Sequence, residues 1–133
     1  MKTITIAQLK RHYKIDGQHL EQCVRYTLTG QITKADNIPA TQQADCLDYQ
    51  IKSARATICK GLNIEQHLQQ DKAYKYLYVT KNYIGYVMDK SEYLEFCKTF
   101  GTITRDSQKN GGQQKLRLKS EGKKMLQWLT DRV

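Results

Sequence analysis

Apolar and polar positions alternate most clearly around residues 47–52. Leu47, Tyr49 and Ile51 fall on one face of a strand, and Asp48, Gln50 and Lys52 fall on the other. Ala54, Ala56 and Ile58 carry the period of two onward and Gly61 closes the run. The pattern predicts one strand over about 45–61 with little water on either side, as in the middle of a sheet. A lysine in such a place needs an anion nearby, because burying an unpaired ammonium is costly.

Elsewhere the spacing is mostly helical. Residues 3–14 read as a short helix opened by a threonine cap, with Ile6, Leu9 and Tyr13 on one face and a basic flank of Lys10, Arg11, His12 and Lys14. After the Asp16-Gly17 turn, Leu20, Cys23, Val24, Thr27 and Leu28 make the apolar stripe of a second helix over 17–30, stopped by Gly30. Glu21 lies at the margin of that stripe. Two helices joined by a tight turn also match a helix-turn-helix. Residues 31–35 read as a short strand and 36–39 as a turn.

Asn63 caps a predicted helix over 63–71, with Ile64 and Leu68 inward and His67 at its boundary. Residues 73–88 read as a tyrosine-rich hairpin turning at Lys81-Asn82, its tyrosines being sheet residues rather than base-stacking platforms. Asp89 or Ser91 then caps a helix that ends at Gly101. Strand-like 102–104 and 115–119 flank a loop containing Asn110-Gly111-Gly112. Ser120 caps a last helix with Met125, Leu126 and Leu129 on its apolar face. This order predicts a mixed α/β, or α+β, fold: a central mixed β-sheet flanked by helices, as one domain over 1–133. Its core would span about 17–100, and a basic C-terminal extension about 102–133.

Charge narrows the function classes. The 22 Lys and Arg outnumber the 13 Asp and Glu, leaving a net charge of +9, which points to a polyanion partner and first to nucleic acid. The four cysteines have no CxxC spacing, which argues against a zinc knuckle. No leader-like or long apolar run is present in this sequence, so the expected setting is cytoplasmic, with reduced thiols and no membrane partner.

Glu21 on a helix, Asp45 just before a strand, and Gln50-Ile51-Lys52 on it together resemble the PD-(D/E)XK nuclease superfamily, in a MutH-like plan over about residues 17–60. The resemblance implies a restriction endonuclease-like core and Mg²⁺-dependent hydrolysis of DNA phosphodiester bonds, with Mn²⁺ able to substitute. Gln50 stands where the usual motif has glutamate; its carbonyl oxygen still suits a hard cation but brings no charge. By that resemblance Asp45 and Gln50 are metal ligands, with Asp36 and Asp48 as alternatives to Asp45. Glu21 binds a second metal or a metal-bound water, and Lys52 touches the attacking water or a phosphate oxygen. Arg55, Lys109, Lys115, Arg117, Lys119 and Lys123 would hold backbone phosphates. The expected partner is double-stranded DNA, with a homodimer suited to cutting both strands. The competing readings are a non-catalytic DNA-binding module built on the N-terminal helix-turn-helix, and a small adaptor whose basic surface meets an acidic protein.

Overall fold

The computed structural model describes residues 1–11, 16–32, 46–71, 75–105 and 114–133. Along these the order is β1 (Lys2–Thr5), α1 (Asp16–Thr29), β2 (Tyr49–Lys52), β3 (Thr57–Lys60), α2 (Ile64–Gln70), β4 (Lys75–Val79), β5 (Ile84–Met88), α3 (Lys90–Phe100), β6 (Gly101–Arg105), β7 (Gln114–Leu118) and α4 (Lys123–Thr130). Four strands form a mixed sheet in the order β1-β5-β4-β2, in which only the β2–β4 pair is parallel. The other three form an antiparallel sheet in the order β3-β7-β6. This is the expected α+β architecture, with the mixed sheet covered by helices on both faces.

Strand alternation sorts the sheet's side chains. Gln50 pairs with Tyr76 and Lys52 with Tyr78, so these share one face, while Ile51, Leu77 and Val79 share the other. On the first face Tyr76, Tyr78, Tyr86 and Met88 pack against Tyr93, Phe96 and Phe100 of α3, Ile64 and Leu68 of α2, and Met125 and Leu129 of α4. Tyr76 stacks on Tyr93 with ring centroids 4.0 Å apart, and Phe96 meets Tyr78, Phe100 and Trp128 at 5.0–5.5 Å. On the second face Ile51, Leu77 and Val79 pack against Cys23 and Val24 of α1, with Ile6 and Cys46. The tyrosines of β4 and β5 are therefore core residues, as their strand propensity implied.

Local chemistry sets the element ends. Asn63 accepts the Gln66 N–H at 3.0 Å and opens α2. Asp89 and Glu92 form a reciprocal capping box on α3. The helix runs straight into β6 at Gly101, where a Cβ would overlap the Cys97 carbonyl oxygen. Only glycine fits that junction. The last helix starts at Lys123, later than a Ser120 cap implies, and Gly122 at its cap offers no side-chain acceptor.

Two expectations are corrected. The N-terminal helix is instead the strand β1, whose Ile4 pairs opposite Gly85 of β5 while Thr3 and Thr5 are exposed. The alternation in Thr-Ile-Thr-Ile outweighs the threonine cap signal, and among the described residues no helix pair stands at the N-terminus for a helix-turn-helix; positions 12–14 of the expected helix lie outside them. The long central strand is broken in two. The chain turns at Ser53–Ala56, with the Ala56 N–H donating to the Ser53 carbonyl at 3.2 Å and Arg55 in a left-handed conformation (φ 66°). Its halves join different sheets, so among the described residues Lys52 stands on an edge strand and not in mid-sheet. Residues 33–45, including the predicted strand at 31–35 beyond its first two positions, lie outside the described residues.

Candidate functional site

The Gln50–Lys52 face of β2 opens on a pocket of about 430 Å³. Gln50, Lys52 and Tyr76 supply its sheet wall, Asp71, His67 and Gln70 at the end of α2 supply a second, and Ile58 and Tyr93 form its floor. Asp71 is the C-terminal cap of α2, its N–H donating to the His67 carbonyl. Its carboxylate accepts the Tyr76 hydroxyl at 2.8 Å. The Lys90 ammonium closes the same helix end by donating to the Leu68 and Asp71 carbonyls at 3.0 and 2.6 Å. Asp71 is thereby held against the pocket by two elements.

The Lys52 ammonium is half-buried and donates to the Thr57 carbonyl at 3.2 Å, bridging the turn between β2 and β3. Its charge reaches two buried thiols. Burial pushes the Cys97 thiol up to about 12 against the opposing pull of the nearby Tyr93 hydroxyl and Lys52. Burial also raises Cys59, again opposed by Lys52. Burial first and the Asp71 carboxylate second raise the Tyr76 hydroxyl, and burial raises Tyr93 well above the ordinary phenol value. These groups are neutral donors at physiological pH, which removes the thiols as thiolate nucleophiles.

The same shifts fix an alkaline instability. Above the ordinary thiol value of 9.0 the unfolded chain gives up protons that the folded chain keeps. The folded state then binds more protons, so stability falls as pH rises. Cys97 alone contributes a slope of up to about 1.4 kcal/mol per pH unit, with the tyrosines adding theirs above about 10. Urea melts at pH 8, 9 and 10 should show this decline. A midpoint unchanged across that range would contradict the neutral, buried state of these groups.

The residues singled out from the sequence separate into groups. Gln50 and Lys52 meet in the pocket. Asp48 instead precedes β2 in the tight Cys46–Tyr49 turn, where Leu47 is left-handed (φ 51°), and its carboxylate is 4.0 Å from the Lys75 ammonium. Glu21 belongs to α1, whose Cys23 and Val24 pack on the opposite face of the sheet. Asp36, Asp45 and Lys109 lie outside the described residues; Asp45 directly precedes Cys46, which pairs antiparallel with Tyr49. Arg55 is at the β2–β3 turn, Lys115 and Arg117 are on β7, Lys119 follows it, and Lys123 opens α4.

Asp71, Tyr76 and Tyr93 were missed as pocket residues. Asp71 reads in sequence only as the end of a helix, and its approach to Gln50 and Lys52 depends on how α2 packs. Among the described residues, no three His, Cys, Asp or Glu side chains group as a metal site. The pocket's side-chain oxygens come from one carboxylate, Asp71, two amides, Gln50 and Gln70, and the hydroxyls of Tyr76 and Tyr93. Asp71 and Gln50 are the pocket residues that could hold a hard cation, and Mg²⁺ is one that keeps several waters and takes only one or two carboxylates. None of the described helices is long and apolar enough to cross a membrane. No family model matches the chain, and no curated protein or solved structure is detectably similar to it.

Proposed function

We propose that this chain is a divalent-metal-dependent DNA endonuclease whose reactive pocket is bounded by Gln50, Lys52 and Asp71. The observation that carries this reading is the opening of Gln50 and Lys52, from one face of an edge strand, into a space that also presents a carboxylate. Asp71 and Gln50 would hold Mg²⁺ or Mn²⁺ there, and Asp45 stays a further ligand candidate from the sequence alone. When bound, the metal supplies charge neutralisation at the scissile phosphate and an acidified water. Lys52 places a positive charge where a phosphate oxygen can rest, and its bond to the Thr57 carbonyl fixes its height above the sheet. Tyr76, a protonated donor to Asp71, orients that carboxylate toward the pocket.

Asp71→Asn tests the assignment. It should lower Mg²⁺-dependent nicking of supercoiled plasmid by about 10²-fold or more while leaving DNA binding in EDTA unchanged. If Asp71→Asn cuts like the wild type and Asp45→Asn does not, the carboxylate is Asp45 and the pocket's α2 wall is structural. A second reading, DNA binding without cleavage, is favoured by the placement of Glu21's helix on the far face of the sheet. It requires plasmid to stay intact with either metal.

A further inference from the structure

The three-stranded sheet turns one face to solvent, and that face is cationic. By register Lys60 lies opposite Lys115 and Thr57 opposite Arg117, while Thr102 and Thr104 flank the two β7 cations from β6. Cys59 and Leu118 alternate to the other side and are buried. Among the described strand residues this face carries Lys60, Lys115 and Arg117 and no carboxylate, while Arg105, opposite Gln114, falls on the other face.

Two features argue for a polyanion on this face rather than water alone. Lys60 and Lys115 are directly opposed, which sets two cations side by side across the strand pair. A polyanion laid across them meets both charges at once. Arg117 donates through Nε to the Thr57 hydroxyl at 3.3 Å, which holds the guanidinium across the strand pair as a positioned fork for phosphate oxygens. Arg55 and Lys119 extend the charge at one end, since the Leu118 N–H bonds the Ala56 carbonyl between them.

What the face lacks decides the ligand's form. Surfaces for single strands join cations to aromatic rings on which bases stack. None of the six outward residues is aromatic, and Tyr76 and Tyr78 are buried in the core. With cations and hydroxyls alone, the face can bind only backbone, and a duplex offers the densest row of phosphates. We infer that this sheet face, centred on Lys60, Lys115 and Arg117, seats the phosphate backbone of a nucleic-acid duplex without reading its bases. This rests on the nucleic-acid part of the function proposed above and not on the chemistry of the pocket.

The test is fluorescence anisotropy in EDTA with a short DNA duplex, the matching RNA duplex and one DNA strand alone, over a series of NaCl concentrations. Lys60→Thr and Arg117→Gln should each weaken duplex binding severalfold and lower the slope of log K against log salt by about 0.9 per lost contact. Lys98→Thr removes equal charge from α3, away from the sheet, and should change neither. Lys60 is exposed, so Lys60→Thr should melt within a few degrees of the wild type, which separates weaker binding from unfolding. Duplex bound more tightly than single strand supports the assignment, and the DNA and RNA arms name which duplex. Variants that bind like the wild type, or a single strand bound as tightly as either duplex, would overturn it. Failure of the pocket reading looks different: duplex binding stays intact and no strand is cut.

Discussion

Lys52→Met should leave the protein folded and reduce metal-dependent DNA cleavage by at least about 10²-fold, the loss typical of removing one group placed against developing charge. Methionine keeps the length of the apolar stem, so Ile58 and the pocket floor retain their packing. What disappears is the ammonium and its 3.2 Å bond to the Thr57 carbonyl. The side chain is half-buried, so the stability change should be about 1 kcal/mol, measurable as a small shift in urea midpoint. A large drop in activity with a small drop in stability separates a chemical role from a merely structural bridge between β2 and β3. Lys52→Arg should not restore full rate, because a planar fork does not reproduce a compact point charge. If Lys52→Met cuts DNA at the wild-type rate, Lys52 is a structural bridge and the proposed pocket loses its cation.

Phe96→Ala should be the most damaging core substitution. Its ring is fully buried between the mixed sheet and two helices, meeting Tyr78, Phe100 and Trp128. Truncation removes that contact surface and leaves a cavity that three large rings cannot readily collapse into. The expected loss is about 3–5 kcal/mol. Domains of this kind are stable by roughly 5–15 kcal/mol, so the variant should be marginal at best at 37 °C. Its melting temperature should fall by roughly 10–25 °C. A fall of only a few degrees would mean that α3 does not carry the core in the way described.

The contrast between legible and hidden parts of the molecule follows from which interactions are local. The tyrosine hairpin, the Asn63 and Asp89 caps and the Gly101 stop were all readable, because each depends on residues within a few positions of one another. The face assignment of Gln50 and Lys52 was also readable, since alternation within one strand is local. The break at Ser53–Ala56 was not, because that turn holds no Gly, Pro or Asn and places Arg55 in a conformation its sequence does not announce. Strand β1 was mistaken for a helix because four residues of alternation gain their meaning only from pairing with β5. Asp71 entered the pocket through the packing of α2, which no spacing along the chain encodes. Glu21 illustrates the converse: its place in a motif order was legible, but α1 packs on the side of the sheet away from Lys52.

The most direct measurement is nicking of supercoiled plasmid by the purified protein with Mg²⁺, with Mn²⁺ and with EDTA. Open-circular or linear product with either metal and none with EDTA is the expected result. Plasmid that remains supercoiled in all three, from protein that still binds the duplex, would contradict the central claim and leave a DNA-binding sheet with an unreactive pocket beside it.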